Sequence, residues 1–164
     1  MRPSFRLLRK RNWLVAACVV VTAACSNTVE PGRLNGYWSL TQTWAGQVII
    51  TENTDDPQWP ADPVTIHSAT VRGDSLELDV AFGGGCRDHM FLLLSDGAWM
   101  ESNPVQVGVR LAHDARGDNC KALVSRLLRF DLTPLKVAYN AAYQTTTGTI
   151  RINVRNSTSV TYSW

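Results

Sequence analysis

Two cysteine–histidine pairs are the residues of this sequence with the clearest capacity for chemistry. Cys86 and His89 lie in the stretch FGGGCRDHMF, and His113 and Cys120 lie in AHDARGDNC. Thiolate and imidazole groups together can bind zinc, and a cysteine beside a histidine can act as an activated nucleophile. Two cysteines can instead form a disulfide bond. Three kinds of site are therefore open at the start.

The N-terminal segment predicts export from the cytoplasm. Residues 1–13 carry five basic and no acidic side chains, and the apolar run Leu14–Ala24, broken by Thr22, precedes Cys25. This pattern is typical of a secretory signal, and the run is too short to span a hydrocarbon core of ~30 Å. The two alanines before Cys25 look like a lipobox, the bacterial signal for cleavage and lipid attachment. We predict a signal peptide over 1–24 and a lipidated Cys25.

Other processing schemes are consistent with the same segment. Cys18 ends a second small-residue pattern, VAAC. The apolar stretch before this cysteine is too short for the hydrophobic part of a signal. An ordinary signal peptide or an uncleaved anchor would leave Cys25 as a plain thiol. The intact mass of the membrane-extracted protein distinguishes these alternatives.

Removal of the signal changes the charge of the chain. The whole sequence has 16 basic and 14 acidic residues, whereas the predicted mature part has 11 basic and 14 acidic residues, about −3. No basic patch with interleaved aromatic residues remains, so we predict no nucleic-acid partner. Residues 25–36 form a polar tether in this interpretation, and residues 37–164 are long enough for a single domain with its own core.

The remaining cysteines are most simply explained as a pair. With Cys18 in the cleaved segment and Cys25 lipidated, Cys86 and Cys120 are left in an oxidising compartment, which favours a disulfide. A Cys₂His₂ zinc set with His89 and His113 is the alternative, although its C-x₂-H and H-x₆-C spacings match no common finger. Catalytic Cys/His chemistry is a third interpretation, and no recognised nucleophile motif surrounds either cysteine.

Alternating apolar residues predict a mainly β domain. In the segment 75–82, for example, Leu76, Leu78 and Val80 alternate with acidic residues, and Gly73-Asp74 before it fits a two-residue hairpin turn. Predicted strands cover 37–44, 47–51, 64–71, 75–82, 89–95, 104–113, 121–130 and 147–156, with SVTYSW at the end of the chain.

The connections between these segments suggest a fold class. Ala45-Gly46 separates the first two strands as a hairpin turn. The pattern of 121–130 fits a strand or a helix, and its place after a turn-rich loop favours a strand that pairs back onto 104–112. A short helix is predicted over 134–143, with Thr133 as its cap and Pro134 in its first position. Eight or nine short strands with one helix favour an antiparallel β-sandwich of the Ig-like, Greek-key type.

Polar side chains near the two cysteines are the candidate binding residues. A disulfide between Cys86 and Cys120 would bring His89 and His113 together, and with Asp88 they are weak candidates for a metal site. Asp114, Asp118 and Asn119 could offer oxygen ligands to Ca²⁺. Their spacing lacks the pattern of a calcium loop, so a solvated turn is the simpler explanation.

Exposed tryptophans are a second class of candidate binding residue. Trp59 lies in the acidic, proline-rich loop 52–63, and Trp99 follows the Asp96-Gly97 turn. Such side chains can stack on sugars or anchor a protein partner. The alternative is that they cover the ends of the domain core.

Several stretches resemble a known group of proteins. GGGCRDHMFLL, ESNPVQVGVRLAHDARGDNCKA, LRFDLTPLKVAY and GTIRINV are similar to bacterial lipoproteins of unknown function. They also resemble the C-terminal β-sandwich domain of NigD-like lipoproteins, over about half of the mature chain. The resemblance implies a structural disulfide between Cys86 and Cys120, and it implies no activity.

Together these observations predict a lipid-anchored protein of the cell envelope. It would face the periplasm or the cell exterior from the cell membrane or outer membrane, and bind a protein or glycan partner without catalysis. We predict no catalytic residues and no cofactor. The alternative is a metal-binding or metal-dependent hydrolytic protein that uses the His/Asp cluster near the cysteines.

Overall fold

The computed structural model of the chain describes residues 44–164. In this range it has eight strands and one helix, which are β1 (Trp44–Ile50), β2 (Thr65–Arg72), β3 (Ser75–Gly84), β4 (Met90–Ser95), β5 (Val105–Asp114), β6 (Ala122–Asp131), α1 (Thr133–Tyr143), β7 (Thr149–Val154) and β8 (Ser159–Ser163). The predicted signal peptide (1–24), the tether (25–36), the candidate lipidation sites Cys18 and Cys25, and the predicted strand segment 37–43 lie outside the described residues. Within 44–164 no helix has the length and apolar character needed to cross a bilayer.

The strands form one curled sheet. Its order is β2-β3-β6-β1-β4-β5-β7-β8, and the outer strands β2 and β8 also contact each other. The chain is therefore mainly β with one helix, as predicted, in a nearly closed, barrel-like sheet. The predicted antiparallel Ig-like or Greek-key sandwich is not confirmed. Strand β1 runs parallel to both of its neighbours, β4 and β6, and β5 runs parallel to β7.

The barrel interior is built by the period-2 pattern of the strands. On β3, Leu76, Leu78, Val80 and Phe82 point inward and are at most 3% exposed. Each fully buried side chain of this size contributes about 1.5–3 kcal/mol of hydrophobic stabilisation. Inward side chains of the other strands complete one contiguous core, to which α1 adds Leu135.

The predicted hairpin between β2 and β3 is confirmed. Gly73 and Asp74 form its two-residue turn, and the positive φ of Gly73 (+56°) suits glycine. Asp74 also ties the turn to two other elements, because its carboxylate accepts hydrogen bonds from Tyr162 on β8 (2.7 Å) and Lys136 on α1 (3.2 Å). The same two bonds lower the pKa of the Asp74 carboxyl.

Two predicted connections are wrong. Ala45 and Gly46 are not a hairpin turn but lie inside β1, where the register with β6 shifts and Gly46 adopts a φ of +112°. A bulge needs the same glycine as a turn, so the residue types alone do not separate them. Strand β6 is a strand as predicted, but it pairs with β3 and β1 and not with β5.

The predicted helix is confirmed, with a different start. Helix α1 begins at Thr133, its N-cap residue is Leu132, and Pro134 lies in the first turn. Thr133 does not cap the helix. Instead, its backbone N–H and hydroxyl both donate to Asp131 Oδ1, at 2.8 and 2.6 Å.

Arg126 is an inward-facing cation on β6 and provides a stability test. It is 8% exposed, it lies 5.4 Å from the centre of the Phe82 ring, and its Nη1 has no hydrogen-bond acceptor in the described part of the chain. Burial lowers the pKa of its guanidinium. Since a buried cation with an unbonded nitrogen is costly, we expect Arg126→Met to raise the free energy of unfolding by up to about 2 kcal/mol in urea titrations.

Arg129→Met is the matched control for this change. Arg129 is on the same strand, is 47% exposed and pairs with Glu77 at 2.9 Å. Its replacement is expected to lower the free energy of unfolding by about 0–1 kcal/mol. A loss of stability for Arg126→Met larger than the loss for Arg129→Met would contradict the view that burial of the Arg126 guanidinium costs stability.

Candidate functional site

The structure contains the predicted disulfide bond between Cys86 and Cys120. The bridge joins the turn after β3 to the loop between β5 and β6, with a Cα–Cα separation of 5.9 Å. Both segments lie at the same end of the barrel, which we call the mouth. The bridge removes both sulfurs from the proposed Cys₂His₂ zinc set and from the proposed cysteine nucleophile.

Two histidines lie beside the bridge and contact each other. His89 immediately precedes β4, and His113 is on β5 opposite Phe91 in the strand register. Both histidines are 1% exposed, and the His113 ring stacks on Phe91 at 4.6 Å with an interplanar angle of 2°. The Nδ1 atom of His89 lies 2.8 Å from the Nε2 atom of His113, a direct hydrogen bond.

The other ring nitrogens are also bonded. His89 Nε2 lies 3.3 Å from Asp118 Oδ2. His113 Nδ1 lies 3.0 Å from the carbonyl oxygen of Pro63 and 3.3 Å from that of Asp62. The two imidazoles therefore link the segment before β2, the start of β4 and the loop before β6.

Asp118 is held rigidly by the backbone around it. Its Oδ2 accepts hydrogen bonds from the backbone N–H groups of Cys86 (2.8 Å) and Arg87 (2.9 Å), and its Oδ1 accepts one from Cys120 (2.9 Å). These bonds stabilise the carboxylate form, so the pKa of the Asp118 carboxyl lies far below its usual range, with the bond from Cys120 the largest cause. The carboxylate binds both bridged segments at once.

Glycine is required where β3 passes this cluster. A Cβ atom on Gly84 would lie 2.6 Å from His89 Nε2 and 2.9 Å from Asp118 Oδ2, and Gly84 has a φ of +145°. The ring of Phe82 closes the inner side, with its centre 4.6 Å from that of His89 and 5.3 Å from that of His113. Burial, and then the electrostatic interaction with His89, lower the pKa of His113.

The sequence identified the two histidines but not the acid. Asp88 is exposed and makes no bond to either imidazole, whereas Asp118 bonds His89 directly. From the sequence, Asp118 is a candidate only as a calcium ligand, together with Asp114 and Asn119. The structure turns its carboxylate inward, and Asp114 Oδ1 accepts from the backbone of Arg116 at 2.7 Å in a local turn. The signal that could have found Asp118 is its position two residues before Cys120.

The candidate tryptophans cover apolar clusters of the domain. Trp59 packs against Leu92 and Leu94 on the outer side of the sheet, and its indole N–H donates to the carbonyl of Asn53 at 3.1 Å. Trp99 packs edge-on against Tyr139 of α1, with ring centres 5.4 Å apart. Both side chains are partly buried, so the covering role explains them.

The fold is similar to solved structures of bacterial proteins. A NigD-like immunity protein from Bacteroides caccae has a TM-score of 0.50 and 21% identity, over 76% of this chain and 60% of that protein. A protein of unknown function from Bacteroides vulgatus has a TM-score of 0.44 and 16% identity, over 73% of this chain and 56% of that protein. For a candidate lipoprotein from Bacteroides fragilis the values are 0.43 and 11%, over 73% and 68%.

This chain shares its fold with part of the NigD-like protein. The chain spans about 60% of the length of the NigD-like protein. No protein-family model matches the sequence, and no curated protein matches it. At 21% identity the similarity is one of fold, and it agrees with the resemblance to NigD-like proteins stated from the sequence.

Proposed function

We propose that this chain is a non-enzymatic binding module of the bacterial cell envelope, held at a membrane by a lipid on Cys25. The observation that carries the proposal is the state of its most reactive side chains. Cys86 and Cys120 are bonded to each other, and all four ring nitrogens of His89 and His113 are within hydrogen-bond distance of protein atoms. These groups cross-link the barrel mouth.

The alternative of a metal-dependent hydrolase requires free ligand atoms. A zinc ion bound by the two facing imidazole nitrogens would have to lie between atoms that are 2.8 Å apart and already share a proton, and the other two ring nitrogens are bonded to Asp118 and to backbone carbonyls. The carboxylate of Asp118 is likewise occupied by three backbone donors. Binding of an ion at this cluster would therefore cost several internal hydrogen bonds.

A non-enzymatic role is compatible with the similar proteins. The solved structure with the TM-score of 0.50 is that of a NigD-like immunity protein. The charge of about −3 for the predicted mature chain and the polar segment 25–36 suit presentation of a domain at a membrane surface. The proposed partner is a protein or glycan of the envelope.

Affinity purification from detergent-solubilised envelope tests this proposal. We expect the tagged full-length chain to fractionate with membranes and to retain a partner through detergent washes. Cys25→Ala should release it from the membrane fraction, whereas Cys18→Ala should not. An unmodified mature mass, or stoichiometric zinc in the purified protein by elemental analysis, would contradict the proposal.

A further inference from the structure

We infer that His89, His113 and Asp118 form a proton-binding lock, which holds three segments of the barrel mouth together most tightly at mildly acidic to neutral pH. The inference goes beyond the proposed binding function and does not depend on it. It starts from the hydrogen-bonded chain Asp118–His89–His113–Pro63, whose three contacts measure 3.3, 2.8 and 3.0 Å. Three hydrogen bonds need three protons, and two neutral imidazoles supply two.

The positions of these protons follow from the acceptors. His113 Nδ1 faces two carbonyl oxygens, which can only accept, so this nitrogen must carry a hydrogen. The Nε2 atom of a neutral His113 is then an acceptor, and His89 Nδ1 must donate to it. His89 Nε2 in turn faces a carboxylate, which also accepts. His89 therefore carries both protons and a positive charge between Asp118 and His113.

A neutral His89 would leave two lone pairs facing each other. The opposed atoms would be the two ring nitrogens at 2.8 Å or His89 Nε2 and Asp118 Oδ2 at 3.3 Å. The side chains of His89 and Asp118 are each 1% exposed, so water does not relieve the repulsion. A proton on Asp118 is no substitute, because its three backbone N–H partners favour the ionised carboxylate.

The groups around the cluster include both uncharged and charged side chains. Uncharged Phe82, Gly84 and Phe91 lie against it from strands β3 and β4. Charged groups on the neighbouring elements include Asp62 before β2, Arg87 and Asp88 in the bridged turn, Asp114 and Arg116 at and after the end of β5, Lys121 before β6, and Arg110 and Arg126 on β5 and β6. The Asp62 carboxylate acts to raise the pKa of His113, and it accepts a hydrogen bond from the backbone N–H of Ala115 at 2.7 Å. The Arg87 guanidinium donates to the carbonyl of Arg116 at 2.8 Å.

The lock makes stability depend on pH in both directions. Relative to two neutral imidazoles, the folded cluster holds one excess proton. In the unfolded chain, two ordinary histidines with a pKa of 6.5 hold two excess protons at low pH and none at high pH. The two states bind equal numbers of protons near pH 6.5, so stability from the lock is greatest there. Away from this pH, the unfolding equilibrium constant should rise by up to about tenfold per pH unit on each side.

The loss of stability on the acidic side agrees with the direction of the pKa shifts of His113 and Asp118. Folding lowers the pKa of His113 and of Asp118. Their stabilising contributions are therefore complete above the unfolded values and are lost as the pH falls, first for His113 and then for Asp118. On the alkaline side the loss comes from the excess proton, which the unfolded chain does not hold.

Nitrogen-15 NMR of the imidazole rings in the folded full chain tests the proton assignment directly. At pH 7.5 we expect His89 to be protonated on both nitrogens and His113 on Nδ1 only, with exposed His67 as a reference signal from outside the cluster. A single protonated nitrogen on His89, or Nε2 protonation of His113, would overturn the lock.

A variant series measures the consequence for stability. His89→Gln should abolish the rise of the unfolding constant between about pH 7 and 8, because a neutral amide brings no titratable proton into the cluster. His67→Gln, at an exposed position on β2, should retain the wild-type profile. Equal alkaline slopes in His89→Gln and the wild type would contradict the proposal, and the NMR result on the wild type decides if His89→Gln does not fold.

Discussion

Gly84→Ala is expected to lower the free energy of unfolding by about 2–5 kcal/mol, as measured by urea titration. Two costs add at this position. The added Cβ would lie 2.6 Å from His89 Nε2 and 2.7 Å from His89 Cε1, and the φ of +145° is one that alanine rarely adopts. The imidazole is the far end of a side chain, yet it cannot move aside. Phe82 closes one side of it, and His113 and Asp118 fix its nitrogens.

Two other glycines separate these costs. Gly46 has a comparable φ of +112° and Gly83 lies in extended β3 backbone, and an added Cβ at either position would meet nothing within 4 Å. Gly46→Ala should therefore report the backbone strain alone, about 1–2 kcal/mol. Gly83→Ala should change stability by less than about 1 kcal/mol. If Gly84→Ala is no worse than Gly46→Ala, the close approach of β3 to His89 is not restrictive.

The same glycine shows what sequence reasoning can and cannot supply. A run of three glycines before Cys86 indicates a bend or a close backbone approach. It does not indicate what the backbone approaches, because Asp118 comes from a loop more than 30 residues away. The carboxylate reaches Gly84 because Gly84 pairs with Ala122 at the start of β6, and the bridge joins the same two segments.

Strand positions were predictable for a physical reason, and their partners were not. Alternation along one segment, as in Leu76–Phe82, reports which side chains face the interior, and the interior of a sandwich and that of a barrel demand the same alternation. Partner choice depends on contacts between distant segments. For β1, whose neighbours β4 and β6 are both parallel to it, no turn motif encodes the pairing.

Replacement of both bridged cysteines by serine is expected to cost about 4 kcal/mol of folding free energy. The bond closes a loop with a sequence separation of 34, and the entropy of the open loop in the unfolded chain accounts for this magnitude. The loss of folding free energy should exceed this loop-closure value if the cysteine replacement also disturbs the His89–His113–Asp118 lock. The backbone N–H groups of Cys86 and Cys120 hold Asp118, which in turn holds His89.

Reductant provides the matched comparison for this variant. Dithiothreitol should lower the urea midpoint of the wild type to that of Cys86→Ser/Cys120→Ser and should leave the variant unchanged, since only the wild type has a bond to reduce. Asp118→Asn in the oxidised background isolates the carboxylate, because the bridge stays intact while the acceptor of the His89 proton changes. A wild type indifferent to reductant, or two reactive thiols from Cys86 and Cys120 in unreduced denatured protein, would contradict a bridge that stabilises the mouth. A different result is that the serine variant loses the whole predicted amount, about 4 kcal/mol, while its folded state keeps the histidine NMR signals of the wild type. That result would show that the bridge acts on the unfolded chain alone and that the lock closes without it.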